Sequence, residues 1–156
     1  MRHLFISFIA LCAASTAVAQ QPLRVVVDGK PQDITVERLR SAGADTLTVS
    51  PHHGSPVRYS VAPLLKVLSL AGVRSDTLRG PGLTTVVTAV ASDDYRVSFT
   101  LGEMALGGKS VLIAFAENGH ALDSTVGPYR LVVPSDERQA RWARQVVELR
   151  VTNASP

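Results

Sequence analysis

The strongest constraint on this chain is a succession of short β-branched runs, each soon stopped by Gly, Pro, Asn or Asp, with few stretches of helical period between them. Leu23–Val27, Thr46–Ser50 and Val57–Ser60 read as strands, the last two as a hairpin across the Pro51–Pro56 turn. Leu83–Ala91 is nearly continuous in apolar residues, as a central strand should be. From Tyr95 to Leu101, Val97, Phe99 and Leu101 alternate with Arg96, Ser98 and Thr100, the mark of a half-buried strand. The alternation predicts that one of Tyr95 and Arg96 faces in and the other out. Val111–Ala116, Tyr129–Val133 and a final strand carrying Val147, Leu149 and Val151 complete seven or eight strands.

Helical signals are fewer. Thr35 can cap a helix through Ala42, and Ser60 one through Ala71, with Pro63 in its first turn and Gly72 as its stop. A short helical stretch is expected over Asp136–Arg144. No repeated βαβ rhythm appears, so the predicted class is α+β with a mixed, largely antiparallel sheet and two or three short helices. The expected core comprises Val97, Phe99, Leu101, Val111, Ile113, Leu131, Val133, Val147, Leu149 and Trp142.

The amino terminus reads as an export leader. Arg2 and His3 precede an apolar run from Leu4 to Ala14, and Ala17-Val18-Ala19 supplies the small residues of a cleavage site. This eleven-residue run rises about 16 Å as a helix, about half a bilayer core, so no membrane span is expected. The expected organisation is a leader over 1–19, one domain over 20–151 and a loose tail over 152–156, in a periplasmic or secreted protein. Leu11 stands before Cys12 where a lipid-attachment site needs a small residue. Cleavage removes Cys12, the only cysteine, and with it any disulfide, zinc thiolate or cysteine nucleophile. Without Arg2, 15 basic side chains face 13 acidic ones, a mild balance without the basic block of a nucleic-acid binder. At 46% hydrophobic and 19% charged, the composition excludes intrinsic disorder.

Several chemical motifs fail on inspection. Leu106-Gly107-Gly108-Lys109-Ser110 ends like a phosphate loop, but Glu103 occupies the position of its first Gly and a strand, not a helix, is expected to follow. A hairpin-type connection is expected there instead. His52 and His53 would point oppositely on a strand, and His120 with Asp123 offers too few ligands for a closed metal site. No metal site is expected.

The segment Gly127-Pro128-Tyr129-Arg130-Leu131-Val132-Val133-Pro134, followed by Asp136, Arg138 and Arg141-Trp142, is distinctive. It resembles the end of the molybdopterin-binding domain of sulfite-oxidase-type oxidoreductases, where a Leu-Val-Val-Pro strand leads through a basic segment to an aliphatic strand. Tyr59–Val73 looks like that family's Pro-Leu-rich helix, Asp93–Leu101 its Asp-Gly-Tyr strand and Gly107–Ala114 its next strand. The resemblance spans residues 45 to 151 in the family's order.

The resemblance implies a molybdopterin-binding-like fold and, as cofactor, molybdopterin. It also implies a cysteine thiolate on the metal, which residues 20–156 lack, so catalysis of sulfite-oxidase type is not expected. Two functions remain open. One is a non-catalytic module that binds a pterin or another small anionic ligand; the other is a cofactor-free partner subunit in the cell envelope. If a ligand binds, the resemblance points to Arg138 and Arg141 as planar two-pronged donors, with Tyr95 and His53 facing them. Arg138, Arg141 and Arg144 stand at i, i+3 and i+6, which on a helix would form a basic stripe; the same stripe also reads as a solvated surface paired with Asp136 and Glu137. Trp142 is expected to plug the core beneath this segment.

Overall fold

The computed structural model describes residues 20–50, 55–76, 78–108 and 110–153; the expected leader, Cys12, His52 and His53 lie outside the described residues. Among the described residues, two five-stranded sheets carry the fold, with three α-helices of five to seven residues. The class is α+β with mixed, mostly antiparallel sheets.

The first sheet starts from β1 (Leu23–Val27), which turns through Asp28-Gly29 into β2 (Lys30–Ile34). Both turn residues have positive φ, 47° and 76°, as the two-residue hairpin with matching twist requires. β2 is absent from the sequence-based expectation because Pro31 and its polar neighbours obscure it. As an edge strand, it tolerates a residue without an N–H. Thr35 Oγ1 then accepts from Arg38 N to cap α1 (Val36–Ser41), as expected.

The second sheet begins with β3 (Asp45–Val49) and β4 (Val57–Pro63), paired antiparallel. Here one expectation fails. Ser60 does not cap a helix; β4 continues to Pro63, and α2 (Leu64–Leu70) starts behind it. The physical reason is the Ala62-Pro63 step, which favours extended backbone before proline, together with pairing of β4 to a strand further along the chain. Leu64, Val67 and Leu68 bury the inner face of α2.

A 3₁₀ turn (Gly80–Thr84) leads into β5 (Val86–Ala91), which pairs with β6 (Arg96–Thr100). β6 stops at Thr100, not at Leu101, because Thr100 Oγ1 accepts from Glu103 N at 3.0 Å and caps α3 (Leu101–Ala105). The Gly107–Ser110 stretch therefore connects a helix to a strand, in place of the expected hairpin connection. That strand is β7 (Leu112–Glu117), which pairs with β4 along one side and, along the other, with β8 (His120–Ala121) and β9 (Arg130–Val132). Asn118-Gly119, with φ of 49° and 86°, forms the second tight turn.

The expected helix over Asp136–Arg144 shrinks to one 3₁₀ turn, Gln139–Arg141. β10 (Val146–Thr152) closes the first sheet, parallel to β1 and antiparallel to β5, in the order β2-β1-β10-β5-β6. Its register slips between Val146 and Glu148, so Val146 is fully buried while Val147, expected in the core, is only partly so. The strand extends through Thr152, and Asn153 Oδ1 accepts from Thr85 Oγ1 at 2.9 Å, so these two residues of the expected tail are held.

The remaining core expectations hold. Val97, Phe99, Leu101, Val111, Ile113, Leu131, Val133, Leu149 and Trp142 are buried, and both sheets contribute to one apolar cluster. Trp142 is 8% exposed and donates its indole N–H to the Val133 carbonyl at 2.9 Å, the partner that a buried indole needs.

Candidate functional site

The basic segment after Pro134 separates its arginines. Arg138 has extended backbone, φ −118° and ψ 138°, and is exposed. Because the segment is one 3₁₀ turn, Arg138, Arg141 and Arg144 do not share a helix face. Arg141 points inward. Its Nε and Nη2 donate to the two carboxylate oxygens of Asp136 at 2.8 and 2.6 Å, and Nη1 donates to Glu103 Oε1 at 3.1 Å. The guanidinium also lies 4.8 Å from the Phe99 ring centroid. Asp136 first, and Glu103 after it, hold the guanidinium in its charged form against the opposing effect of burial. Two carboxylates on three donor edges leave Arg141 poorly placed to attract an anion.

Arg130 projects from β9 between two rings, 5.6 Å from the centroid of Tyr59 and 5.7 Å from that of Trp142. Its Nη1 donates to the Tyr59 hydroxyl at 2.9 Å, while its buried Nε finds no partner among the described residues. The half-buried charge rests on aromatic faces, which suit a guanidinium better than an ammonium.

The concave site lies beside these arginines. A cleft of about 540 Å³ is lined by Asp93, Tyr95, Ser124, Thr125, Gln139 and Arg144, with Trp142 behind them. Tyr95 precedes β6 in the turn, 48% exposed, and donates its hydroxyl to the Ala140 carbonyl at 2.7 Å. Arg96 is exposed as well, so the expected in-and-out pair is not formed; alternation starts only where the strand does. Asp93 Oδ1 accepts from Tyr95 N at 3.0 Å, which fixes this wall. Arg144 is exposed, with no ion pair found among the described residues.

Gln145 ties the walls together. With φ of 52° it sits in the left-handed region, held there by bonds at every polar atom. Its N donates to the Val126 carbonyl at 2.7 Å and its carbonyl accepts from Ser92 N at 2.9 Å. Its Nε2 donates to the Ser124 carbonyl at 2.8 Å, and its Oε1 accepts from the Ser92 hydroxyl at 3.2 Å. Just before Ser124 and Thr125, Asp123 accepts from the Thr125 hydroxyl and N–H at 2.6 and 2.7 Å, which hold its carboxyl below the usual range.

Of the residues expected at a site, Tyr95 borders the cleft, Arg138 stands one residue before the lining Gln139, and Arg141 belongs to the clasp with Asp136 and Glu103. His53 lies outside the described residues. Arg144, Asp93 and the Ser124-Thr125 pair are the additions. Arg144 carries a signal in the sequence, its place in the arginine series, but nothing local marks the loop that brings Ser124 and Thr125 opposite it. No family model matches the chain, and no curated protein matches it.

Proposed function

We propose that this chain is an exported, non-catalytic binding module of molybdopterin-domain-like fold, and that its cleft takes a small planar anionic ligand such as a phosphate-bearing pterin. The observation that carries the reading is the juxtaposition, in one cleft, of the exposed Tyr95 ring with the Arg144 guanidinium, unpaired among the described residues. A ring face offers stacking area, and a planar two-pronged donor suits phosphate. Ser124, Thr125 and Gln139 add neutral polar groups, and the volume lies within the range of about 300–1,000 Å³ usual for small-molecule sites. Arg138, exposed beside Gln139, is within the same chain segment and adds positive charge to this side.

The donor set fits the organic part of the cofactor that the resemblance implies, and not its metal. A molybdenum centre of that type takes a cysteine thiolate, and the single cysteine of the chain is Cys12, inside the proposed leader. The reading is therefore one of binding without redox turnover.

Titration of the protein with a phosphate-bearing pterin, followed by fluorescence of Trp142, tests the reading. Arg144→Ala together with Arg138→Ala should weaken binding at least tenfold, since loss of the Arg144 charge-assisted contact alone is worth about that much. Arg141→Ala should act mainly through stability. Equal affinity in wild type and the Arg144 and Arg138 variant would remove the site, and absence of binding in wild type would favour the cofactor-free partner subunit.

A further inference from the structure

The beginning of the proposed mature chain is held against the fold. Tyr129, fully buried, donates its hydroxyl to the Gln21 carbonyl at 2.6 Å, and the Gln20 side-chain amide donates to the Pro128 carbonyl. Gln20 is half-buried and borders a second cleft, of about 470 Å³, together with Ala121, Leu122, Asp123, Gly127 and Pro128. This cleft meets the first at Ser124 and Gln145.

We propose that Gln20, once freed by cleavage after Ala19, closes on itself to a pyroglutamate that caps this second cleft. The inference rests on the export reading, since only cleavage there makes Gln20 the first residue. In the reaction the α-amino nitrogen attacks the side-chain carboxamide carbon. The new bond joins the backbone nitrogen to Cδ, the bond from Cδ to the amide nitrogen breaks, and that nitrogen leaves as ammonia with the proton lost by the amine. No oxidant, reductant or co-reactant is consumed.

The surroundings of Gln20 favour the closed product. A free first residue would bring an α-ammonium to a half-buried position beside Leu122 and Pro128, where loss of hydration disfavours charge. Asp123, the carboxylate bordering the cleft, already accepts two bonds from Thr125. The closed ring is neutral; closure expels Nε2, the donor to the Pro128 carbonyl, so that bond is given up and the ring N–H is the one donor left at this position. Closure also removes the free rotations of the Gln20 side chain, which folding otherwise has to restrain.

The test is amino-terminal peptide mass spectrometry on the full chain, expressed with its own leader, recovered after export and incubated at length at neutral pH. The expected peptide starts at Gln20 and is lighter by one ammonia. A Gln20→Ala chain, which has no carboxamide at that position, should start at the same place with its full mass. A wild-type peptide starting at Gln20 with undiminished mass would overturn the ring closure while leaving export intact. A start at Met1 would overturn export itself, and a start at any other residue would overturn the assignment to Gln20. Separated closed and open forms should differ in Tm by about 2–4 °C in favour of the closed form; equal values would overturn the claim that the fold favours it.

Discussion

Arg141 and Arg144 stand three residues apart and meet opposite surroundings. Arg141 is 28% exposed in its side chain, lies on Phe99 and is held by Asp136 and Glu103. Arg144 is exposed at the rim of a cleft, with the Tyr95 ring and the Ser124-Thr125 hydroxyls as its neighbours in the lining. Identical side chains thus serve two purposes, and direct bonds to carboxylates, present at Arg141, decide which. The clasp joins α3 to the segment after β9 and leaves little for a ligand; the rim has charge to offer and little to hold in place.

The largest test of this contrast is at the floor of the clasp. Phe99→Ala should cost about 3–5 kcal/mol in denaturant unfolding, because Phe99 is 2% exposed within the shared core. A loss below about half a kcal/mol would mean that the clasp rests on nothing rigid. Asp136→Ala should cost about 2 kcal/mol, the range for hydrogen bonds to a charged group, and adding Arg141→Ala should cost little more. Full additivity of the two would break the claim that they act as one unit.

The buried core has a different sensitivity, to alkali. Burial pushes the Tyr129 phenol up to about 12, the charge of Glu37 adds to the effect, and a backbone bond at Leu23 works against it. An unfolded tyrosine ionises near pH 10. Between about pH 10 and 12 the unfolded chain therefore releases a proton that the folded chain keeps, so stability should fall as pH rises through that window. Unfolding free energies of wild type and Tyr129→Phe measured across this range should converge; a constant gap between them would contradict the assignment. The smallest effect is expected at the rim, where Arg144→Ala should change stability by no more than about 0.5 kcal/mol. A larger loss would make Arg144 a second strut and erase the contrast.

How much of this was legible in the sequence depended on whether the signal was local. The alternation of Val97, Phe99 and Leu101 showed the buried face of β6, and the bulk of Trp142 showed a core residue, because both depend on side chains alone. The capping pattern Thr100-Leu101-Gly102-Glu103 was present too, yet the strand alternation running into Leu101 masked the start of α3. β2 was hidden by Pro31 and its polar neighbours although its partner β1 is adjacent in the chain, whereas the length of β4 was settled by its distant partner β7, which outweighs weak local preference. The site suffered most from this. The arginine spacing suggested a helical stripe, whereas the bonds of Gln145 and the clasp of Arg141 fold the segment into a single turn with extended flanks. Positive charge was readable there; which arginine remained available was a matter of tertiary contacts.

The place of β10 has a consequence for the order in which the molecule can form. This strand lies between β1 and β5, parallel to the first strand of the described fold, so β2-β1 and β5-β6 share no pairing until it arrives. Two hairpins can assemble early from nearby residues, but joining them requires closure of a loop of well over a hundred residues, a slow event compared with local pairing. In a growing chain the first sheet therefore stays open until β10 emerges. If the proposed export threads the chain unfolded across a membrane, so late a keystone would keep the polypeptide pliable for as long as passage lasts.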